Sequence, residues 1–270
     1  MIIQKIWKEL VILLAIFGAI WAGLSYYNYD IDENPFSISL ESEKDLSEVM
    51  EEFMLRDYTF IENDELDSTL SIIMDRLLKN MDSVTYSYQL HVIESDQINA
   101  FTSLNGNIYV FTGLMNKLET SEELAVILAH EIGHAEQKHV VEKLIKAVGL
   151  EAMFSIISGG DPVLLSEVAK LAISTSFDRH NEEEADDFAL DLSTKSNINP
   201  RRLGQFFLKL KGENRSFLND VEFIRTHPMD NDRIKKSSDY RLPEGFEEIP
   251  FGIDWNQVQT LTQVTEEEPS

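Results

Sequence analysis

The stretch His130-Glu131-Ile132-Gly133-His134 has residue types and a spacing that dictate a chemistry. Two histidines four apart lie on one helical face a turn apart, where their imidazole nitrogens can converge on one Zn²⁺ ion. The glutamate between them sits about a hundred degrees round the helix, within reach of a water on that metal. The same five residues also suit an amphipathic helix with two buried histidines, so the surrounding sequence decides.

That sequence supplies a helix. Thr120 and Glu123 have the spacing of a capping box, and Leu124, Ile127, Leu128 and Ile132 recur at helical intervals, which predicts a helix from about 121 to 146. A catalytic zinc needs a third protein ligand. The pattern HExxHxxGxxH does not supply it, because Gln137 and Val140 occupy its glycine and third-histidine positions. His139 falls one residue short, nearly opposite His130 around a continuous helix, and reads as structural. An acid-rich segment follows at Phe177 to Asp186, which by composition alone is an exposed helical face.

Taken in order, HEIGH and the RxxExxAD segment from Arg179 to Asp186 resemble the membrane-associated M48 zinc metallopeptidases. Residues 99–114, NAFTSLNGNIYVFTGL, are similar to that family's strand before the metal helix. Thr226-His227-Pro228 with Arg233-Ile234 is similar to its THPxxxxRI element. The likeness covers about residues 85 to 235. It implies an α+β fold, a mainly helical zincin-like domain with a small β-sheet, and one Zn²⁺ per chain. By the same resemblance His130, His134 and Glu182 are the metal ligands, Glu131 is the catalytic base, and Arg179, Asp186 and Arg233 support them. Helical geometry agrees with the choice of Glu182: it shares a face with Asp186, so one carboxylate can bind metal while the other hydrogen-bonds a ligand histidine. Glu183 and Glu184 point about one and two hundred degrees away, toward solvent.

For His227 the resemblance implies one of two roles, donating a hydrogen bond to the developing oxyanion or transiently filling the metal's open position. Pro228 favours an extended turn that projects the histidine into a cleft, and the oxyanion role, with Arg233 fixing the loop, is the expectation. Asn99 with Ile108, Tyr109 and Val110 is the candidate substrate-binding strand, β-branched and aromatic, whose edge would pair with an extended peptide. His91 and His180 are read as packing or surface, and Met153 and Phe154 as core.

Three protein ligands leave zinc a position for water, whose proton Glu131 takes. The expected activity is that of a zinc endopeptidase acting on protein or peptide substrates, and the resemblance suggests protein quality control. The rival is a zinc-stabilised scaffold or chaperone-like binding module without turnover, although such a site has no use for a base. The chain has no cysteine and no GxSxG elbow, which excludes cysteine nucleophiles and gives no support to a serine hydrolase. A formal net charge of −25 argues against nucleic acid and against docking on anionic lipid by charge. Nothing in the sequence specifies an oligomer.

From Leu10 to Leu24 every residue is apolar or glycine, and no charge falls between Glu9 and Asp30, enough for a helix across a hydrocarbon core of ~30 Å. Lys5 and Lys8 precede this run and Asp30, Asp32 and Glu33 follow it, which predicts a cytoplasmic amino terminus and an extracytoplasmic, periplasm-facing catalytic domain. A cleaved signal peptide is the rival, weakened by Ile20-Trp21-Ala22 at its exit. The expected organisation is an anchor at 1–29, an acidic linker and helix at 30–58, the metallopeptidase domain at 59–240 and an acidic tail at 241–270. Within the domain, helices are expected at 61–80, 163–176, 180–195 and 201–211, and strands at 85–93 and 107–112.

Overall fold

Apolar residues three and four apart in the first hundred residues produce two helices that bracket a small sheet. In a computed structural model that describes residues 38–157, 168, 170–171, 176–212 and 221–263, α1 spans Leu40–Asp57 and α2 spans Asp64–Lys79. Ser39 and Asn63 cap them by accepting N–H groups of the first turns. Strands β1 (Gln89–Ile93), β2 (Ala100–Thr102) and β3 (Asn107–Phe111) follow, with β3 in the middle, parallel to β1 and antiparallel to β2. One sheet face, including Val92, Ala100, Ile108 and Val110, joins the main core with Leu66, Leu70 and Ile73 of α2. The other, Ile93, Phe101, Tyr109 and Phe111, is covered by Phe53 and Met54 of α1.

This arrangement corrects the expected substrate strand. β3 is buried along its whole length and paired on both sides, so Ile108, Tyr109 and Val110 offer no free edge. The edge nearer the HExxH helix belongs to β2, a three-residue strand that alternation could not reveal.

After α3 (Thr112–Lys117) comes α4 (Ser121–Glu136), which carries HEIGH. Thr120 accepts the Glu123 N–H, and the Glu123 carboxylate accepts the Glu119 N–H one residue upstream of the usual box partner. Nearly every side chain from Ser121 to Ala135 is buried, the signature of a helix surrounded by protein. The helix stops at Glu136 instead of continuing to 146: Lys138 adopts a left-handed backbone, φ 58°, and α5 (His139–Val148) starts in a new direction. The Lys138 ammonium pairs at 3.3 Å with the buried Glu43 of α1, which ties the break to the rest of the fold.

α6 (Leu150–Ile157) buries Met153 but leaves Phe154 about half exposed, against the core reading of that phenylalanine. Of the expected helix at 163–176, residues 168, 170, 171 and 176 are described; the first three are helical and Ser176 is not. Then follow α7 (Arg179–Lys195), α8 (Arg201–Lys211), α9 (Glu222–Thr226), α10 (Asn231–Ser238) and α11 (Trp255–Leu261). α11 redraws the expected tail. Trp255 is buried and its Nε1–H donates to Leu118 O at 3.0 Å, Phe251 N–H donates to Glu122 at 3.0 Å, and the Arg76 guanidinium lies 3.6 Å over the Phe251 ring. Residues 249–263 are therefore a strap over the start of α4. Among the described residues no helix is long and apolar enough to cross a membrane, and the expected anchor at 1–29 lies outside them.

Candidate active site

Gly133 and Ala185 let two helices meet. A Cβ added at Gly133 would fall 3.1 Å from the Ala185 Cα and carbonyl oxygen, so a side chain there would require the α7 backbone to shift by a few tenths of an ångström. Asp178 caps α7 by accepting the Asn181 N–H at 3.0 Å, and the first turn places the buried Glu182 against both HEIGH histidines. His227 arrives from the end of α9, where its N–H donates to Phe223 O at 2.8 Å and its ring stacks on Phe223 at 4.6 Å. Phe177 stacks on His134 at 3.9 Å, and its N–H donates to Thr226 O at 3.1 Å, which joins the approach to α7 with the end of α9.

One donor atom each from His130, His134, Glu182 and His227 lies within 4.8 Å of all the others, and all four residues are buried. His130 Nε2 is 3.1 Å from His134 Nε2, 3.3 Å from His227 Nδ1 and 3.6 Å from Glu182 Oε2. Glu182 Oε1 is 3.5 Å from His134 Nε2 and 3.0 Å from His227 Nδ1. A tetrahedral zinc with bonds of about 2.0–2.1 Å separates its ligand atoms by roughly 3.3–3.4 Å, and the contacts of 3.0–3.6 Å given above are compatible with such an ion. The donor chemistry agrees: imidazoles and a carboxylate converge, with two further carboxylates, Glu131 and Asp186, beside them, a set suited to a divalent cation. Glu131 Oε1 and His227 Nε2 are buried without hydrogen-bond partners and lie 3.4 Å apart at the same spot.

The residues around the donors fix them. Asp186 Oδ1 lies 3.1 Å from His130 Nδ1, and Arg233 clamps Asp186 through Nε and Nη2 at 2.7 and 2.8 Å. Arg233 Nη1 also pairs with Glu182 Oε2 and donates to Pro228 O, both at 2.7 Å, binding α7, α10 and the His227 turn into one unit. Burial alone would drive His130 neutral, but Asp186 and Glu182 outweigh it and raise its pKa to about 9. Burial also opposes the charge of Glu182, yet the three histidines around it hold its carboxyl well below the ordinary range. His134 goes the other way, kept well below the usual histidine value by burial. Burial raises Glu131, whose Oε2 accepts the Thr102 N–H at 2.8 Å from the β2 edge.

Among the sequence candidates, the structure brings His130, Glu131, His134, Glu182, Asp186, His227 and Arg233 together and leaves Arg179 outside. Arg179 is 60% exposed and pairs with Glu183, Asp230 and Asp232 at the surface. Asn99 is wholly buried, immediately before β2, with both side-chain polar atoms unpartnered. The oxyanion role expected for His227 fits poorly, since Nδ1 sits inside the donor set. Sequence reasoning missed Thr102, Phe177 and the contacts of His139 and Glu184. His139 is buried beside His134, and Glu184, expected in solvent, is 40% exposed and reaches His139. Only the HxxxxH spacing hinted at His139, and it misleads unless the helix breaks.

HExxH on one helix meeting a carboxylate from a second defines a metallopeptidase-type centre. The sequence model of peptidase family M48 matches residues 64–241, and the chain belongs to that family. It is 26% identical over 178 residues to the beta-barrel assembly-enhancing protease of Yersinia pestis, covering 61% of this chain and 37% of that protein. It is 26% identical to metalloprotease LoiP of Escherichia coli (strain K12), covering 68% of this chain and 73% of that one. Against the mitochondrial metalloendopeptidase OMA1 of Schizosaccharomyces pombe the identity is 27%, over 85% of this chain and 72% of that one. The chain spans only about a third of the length of several curated relatives, as the 37% and 35% shares for the Yersinia pestis and Escherichia coli (strain K12) assembly-enhancing proteases show.

Proposed function

We propose that this chain is a zinc-dependent endopeptidase, held at a membrane by residues 1–29 with its catalytic domain on the extracytoplasmic side, that cleaves membrane-associated or misfolded proteins. The observation that carries the reading is the set of buried donors at ligand spacing with the free Glu131 Oε1 beside it. His130, His134 and Glu182 would hold the ion, which would supply a water of lowered pKa and polarise the scissile carbonyl. Thr102 N–H anchors Glu131 Oε2 and leaves Oε1 to take the water's proton and pass it to the leaving amine. Burial raises the Glu131 pKa above the ordinary carboxylate value, the direction that suits a base that must also return the proton. The β2 edge that offers Thr102 N–H runs beside Glu131, and an extended peptide paired along it would lie over the base.

His227 in the fourth donor position supports the second of its two roles, filling the place that water must take. Four protein donors also describe a structural zinc site, and this favours the other reading, a zinc-stabilised scaffold without turnover. One experiment separates them. The full chain in detergent should hold about one zinc and cleave casein until a chelator removes it, while Glu131→Gln should keep the zinc and lose at least about a hundredfold in rate. Turnover undiminished in zinc-loaded Glu131→Gln refutes the mechanism. Zinc binding with no casein cleavage by either the wild type or His227→Ala establishes the scaffold instead.

A further inference from the structure

A metal-binding histidine presents one nitrogen to the ion, and whatever holds the other decides which nitrogen keeps the lone pair. For His130 the neighbour on that side is a carboxylate, Asp186, 3.1 Å from Nδ1. For His134 it is another imidazole: His134 Nδ1 lies 2.9 Å from His139 Nδ1, and His139 Nε2 lies 3.2 Å from Glu184 Oε2. The left-handed residue at Lys138 creates this contact by turning His139 back toward the end of α4.

The order of protons along the row follows from the donor and acceptor inventory. An ionised Glu184 only accepts, so His139 carries its proton on Nε2. A neutral imidazole has one N–H, which leaves His139 Nδ1 as an acceptor, and the 2.9 Å contact then requires the proton on His134 Nδ1. His134 Nε2 is left with a free lone pair, and it is this atom that faces His130 Nε2 at 3.1 Å and Glu182 Oε1 at 3.5 Å. Reversing the row would place a proton on His134 Nε2 and bar it from the metal.

We infer that Glu184 and His139 are positioning residues that fix the tautomer and ring plane of His134, a relay from a surface carboxylate to a metal-binding nitrogen. The inference rests on the zinc reading above. It assigns Glu184 work that the adjacent Glu183, paired with Arg179 on the same helix, does not share. Because both glutamates are about 40% exposed, changing either tests the relay without emptying the core.

The test is zinc affinity of the full chain, measured by competition with a chelator of known strength, with histidine ¹⁵N spectra of the zinc-loaded protein. Glu184→Leu, which cannot accept, should weaken zinc binding about tenfold, whereas Glu184→Gln, whose amide oxygen still accepts, should stay within about threefold of wild type. Glu183→Leu should change nothing. His139 should appear as the Nε2–H tautomer in wild type and Glu184→Gln and as a mixture in Glu184→Leu. Wild-type affinity in Glu184→Leu, or equal losses in the Leu and Gln variants, overturns the relay alone. Failure of the wild type to bind zinc overturns both the relay and the zinc reading.

Discussion

His130 and His134 sit one turn apart on the same helix, yet their surroundings have opposite electrostatics. The His130 side is ionic: Asp186, Glu182 and the buried Arg233 enclose it, and their charges outweigh burial so that its pKa rises to about 9. The His134 side is aromatic, with Phe177 stacked at 3.9 Å and the imidazole of His139 on its far nitrogen, and burial keeps it neutral. One half of the site is a rigid cage of charges that a cation completes. The other keeps a lone pair ready and reaches toward solvent through Glu184. A metal centre built this way separates the task of attracting the ion from the task of orienting a ligand.

The largest break in this comparison comes from Asp186→Ala. It strips Arg233 of the carboxylate that engages Nε and Nη2 and leaves a buried guanidinium underpaired, which destabilises by about 3–5 kcal/mol. Urea unfolding of the metal-free protein measures this. The matching lesion on the other side, Glu184→Leu, lies near the surface and should stay under about 1 kcal/mol. Equal losses would show that the two halves do not differ as described.

His227 spans the two halves, its rings' centroids lying 5.1 Å from both His130 and His134. As the occupant of the fourth donor position it competes with water, so His227→Ala should retain zinc on three donors and raise basal casein cleavage on the order of tenfold. A fall of about a hundredfold in kcat with zinc retained would instead restore the oxyanion role.

What the sequence disclosed was what lies within one helix or one short motif. His130, Glu131 and His134 follow from 3.6-residue periodicity, whereas Glu182 and Asp186 came from the family resemblance, with which their four-residue spacing on a second helix agrees. Relations that depend on chain direction were hidden. No glycine or proline marks the break at Lys138, so a continuous helix was the reasonable reading and His139 was turned away from the site it serves. β2 is too short to alternate, which left the β-branched and aromatic β3 as the apparent edge. Phe251, Ile253, Trp255 and Val258 are scattered through acidic sequence, and composition masked their packing against the domain. Arg179 sits inside a family-like motif, but its side chain points to solvent.

The smallest effect concerns a charge beside the aromatic half. The Lys143 ammonium lies 4.1 Å over the Phe177 ring that stacks on His134, and burial lowers its pKa to about 8. A lysine whose folded pKa lies below its unfolded value of about 10.4 binds protons more weakly when folded, so its charge opposes folding. That penalty is fully present below about pH 8 and is relieved as pH rises from there toward about 10.4, where the unfolded chain also loses the proton. Lys143→Met keeps the stem and removes the charge, at the loss of the cation–π contact and of attraction to Glu131 and Glu182. The net gain at pH 7 should be on the order of 1 kcal/mol and should shrink as pH rises toward 10. Urea titrations of metal-free wild type and variant at the two pH values measure it. A gain that is the same at both would mean that the benefit comes from packing on Phe177 instead of from the buried charge, and the aromatic half would then be less hostile to charge than its effect on His134 indicates.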